Sequence, residues 1–263
     1  MTCLANNRHR LLHRIHRRYQ ATQQIVDLKG LKFPFVRVTD PDVVLDQVAA
    51  EVDLHERLHG REASGQMMHL PYWAELWDSA MGIALHLADN ASRFDLRKRS
   101  VLDLGCGMGL SGAAAAALGA RVLFADLESP ALLFARLNSL PWRHRVRTRQ
   151  LNWQRDRLNE RFDLIVGADI LYEKTQWPYL ELFWRAHLKE NGSVLLGEPG
   201  RSTGDMFQEW IGNRGWLLER LEQPVSTREK PIRLFALTLA PIAIDNEKSR
   251  GKTAILPAAA ART

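Results

Sequence analysis

The stretch VLDLGCGMGLSG, residues 101–112, constrains this chain more than any other. A short apolar run ends in a cluster of glycines and passes at once into GAAAAALG, a strong helix former. Strand, glycine turn and helix in that order open a doubly wound α/β sheet. The loop lies at the carboxyl edge, where such sheets hold their ligands. Glycine has no Cβ, so the backbone can approach a ligand closely, and the following helix offers unpaired N–H groups.

Gly107, Gly109 and Gly112 spell G-x-G-x-x-G, the pattern that cradles a dinucleotide pyrophosphate. Asp103, two residues before Gly105, argues for a different ligand. Its carboxylate is expected to end the strand and point into the cleft, where it would repel a phosphate by several kcal/mol. S-adenosylmethionine carries a cationic ammonium and a sulfonium and no phosphate. An acid there suits it.

The rest of the chain supports the sheet. Strands are predicted at 101–105, 121–127, 146–152, 162–171, 193–199, 216–222 and 233–240. Between the first five lie helical stretches, GAAAAALG, SPALLFARLNSL and WPYLELFWRAHLKENG, the last closing on Asn191-Gly192. Continuous apolar runs such as LIVGADIL and VLLG suit strands covered on both faces. The last two strands have only a loop between them and read as an antiparallel hairpin. The expected fold is therefore a doubly wound, Rossmann-like α/β domain: a seven-stranded, mostly parallel sheet with a C-terminal antiparallel hairpin, plus a helical N-terminal extension.

Three segments follow: a basic helical extension at 1–67, the sheet domain at 68–241 and a mobile tail at 242–263 that lacks a periodic apolar face. Before Asp27 the chain has no acid, yet it carries Arg8, Arg10, Arg14, Arg17 and Arg18. This start reads as a solvated helix face, as an attraction for an acidic partner or nucleic acid, or as an organelle transit segment. Two cysteines, Cys3 and Cys106, make neither a disulfide framework nor a metal site, which fits a reducing, cytoplasmic setting. No apolar run is long enough to span a membrane. His9, His13 and His16 share a helix face without an acid or cysteine, so no metal is expected.

Candidate site residues collect at the carboxyl ends of the strands. Gly105, Gly107 and Gly109 form the loop, with Asp103 beneath it. Asp126 ends the next strand, where an acid can accept both hydroxyls of a ribose. Asn152 and Trp153 are placed to meet an adenine with a hydrogen bond and an aromatic wall. Asp169-Ile170-Leu171-Tyr172 follows the strand across the crevice. Methyl transfer needs an uncharged nucleophile in line with the methyl carbon, at about 3–3.5 Å. Asp169 could hold and orient an amine there, with Tyr172 as a wall, while burial lowers the amine's pKa.

These residues resemble the seven-β-strand class I methyltransferases, and among them the protein lysine methyltransferases, over roughly residues 68–240. The resemblance rests on DLGCGMG, Asp126, LNW at 151–153, DILY at 169–172 and PYWAELWDSA at 71–80. The P-aromatic-W-A-x-x-W spacing and GEPGR at 197–201 are similar to the branch with the electron-transfer-flavoprotein β-subunit lysine methyltransferase and the bacterial and fungal nicotinamide N-methylase-like proteins. It implies S-adenosylmethionine as cofactor and a protein lysine as acceptor, with Asp169 and Tyr172 catalytic. Trp77 and Ala168 join the cofactor set, with Trp73 nearby. Glu198 stands where that branch commonly has Asp.

Other readings stay open. They are N-methylation of a small amine, a heterocycle or RNA, and a non-catalytic module that keeps the cofactor fold. DILY lacks the prolines of base methyltransferases, and an NAD-dependent oxidoreductase is disfavoured by Asp103 and the terminal hairpin.

Overall fold

A computed structural model of the chain describes residues 2–59 and 70–241. The proposed tail at 242–263 and the boundary at 67/68 lie outside the described residues.

The N-terminal extension carries two strands between its helices, the second of them on the GLKFPFVRV stretch, which reads as a short strand in the sequence. Helix α1 (Thr2–His16) leads into strand β1 (Ala21–Leu28), which pairs antiparallel with β2 (Leu31–Val38) before helix α2 (Pro41–His59). The turn is Lys29-Gly30, both at positive φ (53° and 104°), the backbone of a tight two-residue hairpin. Asp27 Oδ1 steadies it by accepting the Gly30 N–H at 2.8 Å. One face of this unit is apolar: Leu11, Ile15, Val26, Leu28, Phe33 and Phe35 bury against Trp73, Phe134, Leu137 and Leu140. Buried Asn138 clamps it in place, accepting from Val36 N at 2.7 Å and donating to the Val36 and Met108 carbonyls, each at 2.9 Å. An amide with its donors and acceptor satisfied can be buried without a desolvation penalty.

Helices α3 (Asp78–Asp89) and α4 (Ala91–Phe94) precede the main sheet. The sheet then runs β3 (Ser100–Leu104), α5 (Leu110–Ala117), β4 (Arg121–Asp126), α6 (Ser129–Asn138), β5 (Val146–Gln150) and β6 (Phe162–Ala168). It continues with α7 (Trp177–His187), β7 (Leu188–Glu198), α8 (Ser202–Gly212), β8 (Trp216–Gln223) and β9 (Ile232–Leu239). The strand order is β5-β4-β3-β6-β7-β9-β8, parallel through β7, with β9 antiparallel to both β7 and β8. This is the seven-stranded sheet with a terminal hairpin that the sequence pattern implied.

Strand alternation sorts the core into two layers. Leu102, Leu104, Ile165, Val194 and Leu196 face Phe183, Trp184, Phe207 and Ile211 of α7 and α8. Val101, Leu164, Val166 and Leu195 face Ile83 and Leu87 of α3 and Ala115 and Ala116 of α5. Both faces are covered, which is why these strands read as unbroken apolar runs.

One boundary is corrected. The helix expected to close on Asn191-Gly192 ends at His187, and Leu188 already pairs with Phe162. The β6–β7 register is irregular from there to Ser193. A Cβ at Gly192 would lie 2.9 Å from Leu188 Cγ and 3.0 Å from the Phe162 carbonyl oxygen. That glycine serves the crossing of two strands, not a helix stop.

Candidate functional site

Sheet order places the carboxyl ends of β5, β4, β3 and β6 side by side, and every candidate residue hangs from that edge or from the segment before α3. After β3, Gly105, Gly107 and Gly109 all have positive φ (64°, 51° and 84°), a conformation L side chains rarely adopt. The loop is held from β4. The N–H groups of Gly105 and Cys106 donate to the Ala125 carbonyl at 2.8 and 3.1 Å, and Gly107 N–H donates to Asp126 Oδ2 at 2.8 Å. Asp126 Oδ1 accepts the Glu128 N–H at 2.9 Å. Burial pushes the Asp126 carboxyl up to about 6, against the pull of those backbone donors.

Two expectations about this loop are corrected. Asp103 does not project into the cleft: it is 1% exposed and lies beneath the loop, where its Oδ2 accepts the Gly112 N–H at 2.8 Å. Burial raises its pKa to about 8, so at neutral pH it is mostly protonated, and the carboxyl beside the loop's open face is Asp126. Gly112, the third glycine of the fingerprint, sits inside α5. A Cβ there would come within 2.3 Å of Phe124 Cε1 and 2.7 Å of Asp103 Oδ2, so this glycine allows helix and strand to pack.

Beyond β5, Asn152 Oδ1 accepts the Gln154 N–H at 2.9 Å, folding its side chain into a turn. Trp153 is half-buried and held by Gln176, whose Oε1 accepts its Nε1–H at 3.0 Å. Its ring lies 3.6 Å from the point a Gly105 Cβ would occupy. The same point is 2.9 Å from Ile170 Cγ2, so the glycine loop and the segment after β6 touch.

On the β6 side, Ala168 is the last strand residue and pairs with Gly197 of β7. Asp169 follows at φ 56°, in the left-handed region that Asp tolerates better than most residues, with its N–H on the Gly197 carbonyl at 2.8 Å. Its Oδ1 is paired with Arg201 Nη1. Its Oδ2 is buried and has no hydrogen-bond partner among the described residues. Burial raises the Asp169 pKa, opposed by Arg201. Tyr172 is half-exposed, and burial together with neighbouring acids pushes its hydroxyl up to about 12.

Tyr72–Ala74 is a single tight turn, and Trp77 precedes α3. Trp73 is core, packed on Tyr19 and Phe134, but its backbone oxygen lies 3.6 Å from the point a Gly107 Cβ would occupy. Trp77 donates its Nε1–H to the Tyr72 carbonyl at 2.9 Å. Tyr72 meets Trp77 at 6.3 Å and Tyr172 at 5.4 Å between ring centroids, both edge-to-face. Sequence reasoning missed Tyr72, Arg201 and Gln176. Tyr72 and Arg201 stood inside the quoted motifs, while nothing in the sequence marked Gln176.

A family model described as "Lysine methyltransferase" matches residues 72–207, just over half of the chain. The chain belongs to that lysine methyltransferase family. Its relatives include the protein N-lysine methyltransferase METTL21A of Xenopus tropicalis, 36% identical over 146 residues (52% of this chain, 65% of that one). The electron transfer flavoprotein beta subunit lysine methyltransferase of Mus musculus is 34% identical over 137 residues (50% and 51%). The chain thus spans between half and two thirds of the length of these relatives. Among solved structures, the glycopeptide N-methyltransferase MtfA complexed with S-adenosyl-L-homocysteine shares the fold, with TM-score 0.52 at 15% identity over 62% of this chain and 90% of that one. The family match covers the glycine loop, Asp126, Asp169 and Tyr172, and also Tyr72 and Arg201.

Proposed function

We propose that this lysine methyltransferase family member uses S-adenosylmethionine to N-methylate a lysine side chain of a protein. One observation carries the reading. The glycine loop, tied to Asp126, touches the segment bearing Asp169 through Gly105 and Ile170, and Asp169 presents a buried oxygen beside an aromatic rim of Tyr72, Trp77 and Tyr172.

The residues fit the cofactor. Three consecutive odd-numbered glycines at positive φ make a cradle that side chains would obstruct, and Asp126 keeps a free lone pair on each oxygen for a ribose hydroxyl. In this reading Asn152 and Trp153 serve an adenine, and Trp77 and Ala168 complete the cofactor set, Trp77 also meeting Tyr72 at the rim. When bound, the cofactor supplies an electrophilic methyl whose S–C bond breaks as the amine nitrogen forms its new N–C bond, the electron pair staying on sulfur. The chain's own task is to orient an amine, exclude water and keep the nitrogen lone pair free. Asp169 Oδ2 accepts an amine N–H, and Tyr72, Trp77 and Tyr172 line the approach with aromatic rings.

The N-terminal helix and the turn after it carry exposed Arg10, Arg14, Arg17 and Arg18, and they serve this function as a docking face for an acidic protein partner, with nucleic acid as the alternative polyanion. Among the described residues no helix is long and apolar enough to cross a membrane. We place the reaction in the cytoplasm, consistent with a buried, unpaired Cys106.

The test is transfer of label from radioactive S-adenosylmethionine into cell extract separated into protein, nucleic-acid and small-molecule fractions, with Asp169→Ala as control. Label in a discrete protein band, lost in the variant, is expected. Label confined to another fraction would move the assignment to RNA or a small amine. No label, with cofactor binding intact, would leave a cofactor-fold binding module.

A further inference from the structure

A carboxylate beside the acceptor creates a chemical difficulty. An opposite charge within about 4–6 Å favours the charged form of an amine by roughly 1–3 pKa units. A lysine, at about 10.4 in water, would be held still more firmly as the unreactive ammonium. Burial acts the other way, yet a bare buried carboxylate is the strongest inducement to bring the proton in.

The structure contains an answer in Arg201. Its Nη1 pairs with Asp169 Oδ1, and its guanidinium carbon lies 5.6 Å from the Trp77 ring centroid. This arginine is fixed at its main chain. Its own N–H and that of Gly200 both donate to Glu198 Oε2 at 2.9 Å, and its carbonyl accepts Arg233 Nη2 at 2.6 Å. Arg233 is paired in turn with buried Glu198 and with Asp205 on α8. Glu198, left without a role by the sequence, is therefore the anchor of the loop that carries Arg201.

Two other charged groups act on the Asp169 carboxyl from a distance, Glu198 raising its pKa and Arg228 lowering it, while Arg201 is the one that pairs with it directly. Arg228, from the β8–β9 connection, donates to the Pro199 carbonyl at 2.8 Å and lies 3.9 Å from Asp78 on α3. Asp78 and Asp205 are exposed to solvent at 37% and 63% of their side chains, so water screens them. Tyr172 stays neutral up to about 12, and Tyr72 completes the rim.

We propose that Arg201 is a positioning residue that neutralises Asp169 through Oδ1, so that Oδ2 receives the acceptor as a neutral amine and not as an ammonium. The inference rests on Asp169 being the acceptor site. Arginine keeps its charge at every working pH. A second cation arriving at Oδ2 would be repelled by the first, whereas a neutral amine donates one N–H and keeps its lone pair. The ammonium's proton leaves to water before the amine seats. The same carboxylate thus orients the nucleophile without holding its proton.

The test uses the full chain and n-butylamine as a lysine side-chain probe, titrated between pH 7 and 10.5 and followed on the tryptophan indole N–H resonances. The native protein is expected to bind total amine more tightly as pH rises, about tenfold per unit below the amine's pKa. Arg201→Gln removes the neutralising charge and is expected to bind butylammonium at pH 7 at least about tenfold more tightly than the native protein, flattening or reversing the profile. Arg201→Lys keeps the charge and is expected to keep the native profile. Native binding that is as tight at pH 7 as at pH 10, or an unchanged profile in Arg201→Gln, overturns the proposal. So does a lysine variant that behaves like the glutamine one. Failure of the underlying reading looks different: Asp169→Asn would then leave butylamine binding untouched, or no variant would bind it saturably at any pH.

Discussion

The ribose assignment of Asp126 makes the affinity for S-adenosylhomocysteine depend on pH with a sign that can be worked out. Asp126 already accepts one backbone N–H on each oxygen, so only the ionised form has lone pairs left for two hydroxyls. Its pKa in the free protein is about 6, raised by burial. Binding selects the deprotonated form, so apparent affinity is flat above about pH 7 and falls below 6. At pH 5 about one molecule in eleven is competent, and the apparent Kd should be weaker by about elevenfold. Calorimetry in two buffers of different ionisation enthalpy reads both parts: affinity, and protons released, rising from near zero at pH 7.5 towards one at pH 5. The fold does not confound this limb. A carboxyl whose native pKa lies above its unfolded value binds more protons folded, so stability falls as pH rises from about 4 to 6 and is not lost at pH 5 through this group. Asp126→Asn should abolish the slope and weaken binding about 10–100-fold, the worth of a charge-assisted hydrogen bond. Native affinity that stays constant from pH 8 to 5, without proton release, would remove the nucleoside from Asp126.

Three further substitutions separate packing from chemistry. Gly112→Ala forces a methyl against Phe124 and Asp103, and should cost about 1–3 kcal/mol, a Tm loss of roughly 2–12 °C in thermal unfolding, with cofactor affinity retained in the folded protein. Asp169→Ala should leave S-adenosylhomocysteine affinity nearly unchanged in calorimetry while label transfer falls by at least about 10²-fold. Glu198→Ala strands buried Arg233 and releases the Gly200 and Arg201 amides. Breaking such a pair costs about 3–5 kcal/mol, read as lost thermal stability, and the loop bearing Arg201 should become more susceptible to proteolysis.

What could be read from the sequence follows from how locally each feature is determined. Leu102, Ile165 and Val194 announce strands because both sheet faces are covered, and the glycines at 105, 107 and 109 announce a turn because only that backbone needs three positive φ angles. Strand β1 was not legible. ATQQIVDL buries only Val26 and Leu28, and its turn uses Lys29 at positive φ where Asn or Asp would have signalled a hairpin. The state of Asp103 was equally hidden, because ionisation depends on what surrounds a carboxyl: the letter D supplied an anion, and burial under α5 supplied a proton.

Arg201 marks a different limit. It stands 32 residues from Asp169, and no periodicity links them. They meet because β6 and β7 run parallel and end together, with Ala168 opposite Gly197, so that whatever follows each strand shares one edge. In a doubly wound sheet the carboxyl edge gathers loops from distant parts of the chain, and charge pairs that set the chemistry form between loops, not within them. A motif search therefore holds Asp169 in DILY and Arg201 in GEPGR, and gives no sign that the two side chains meet. The butylamine titration of Arg201→Gln examines that cross-strand coupling directly, since a charge acting only through Asp169 must move the pH profile of binding.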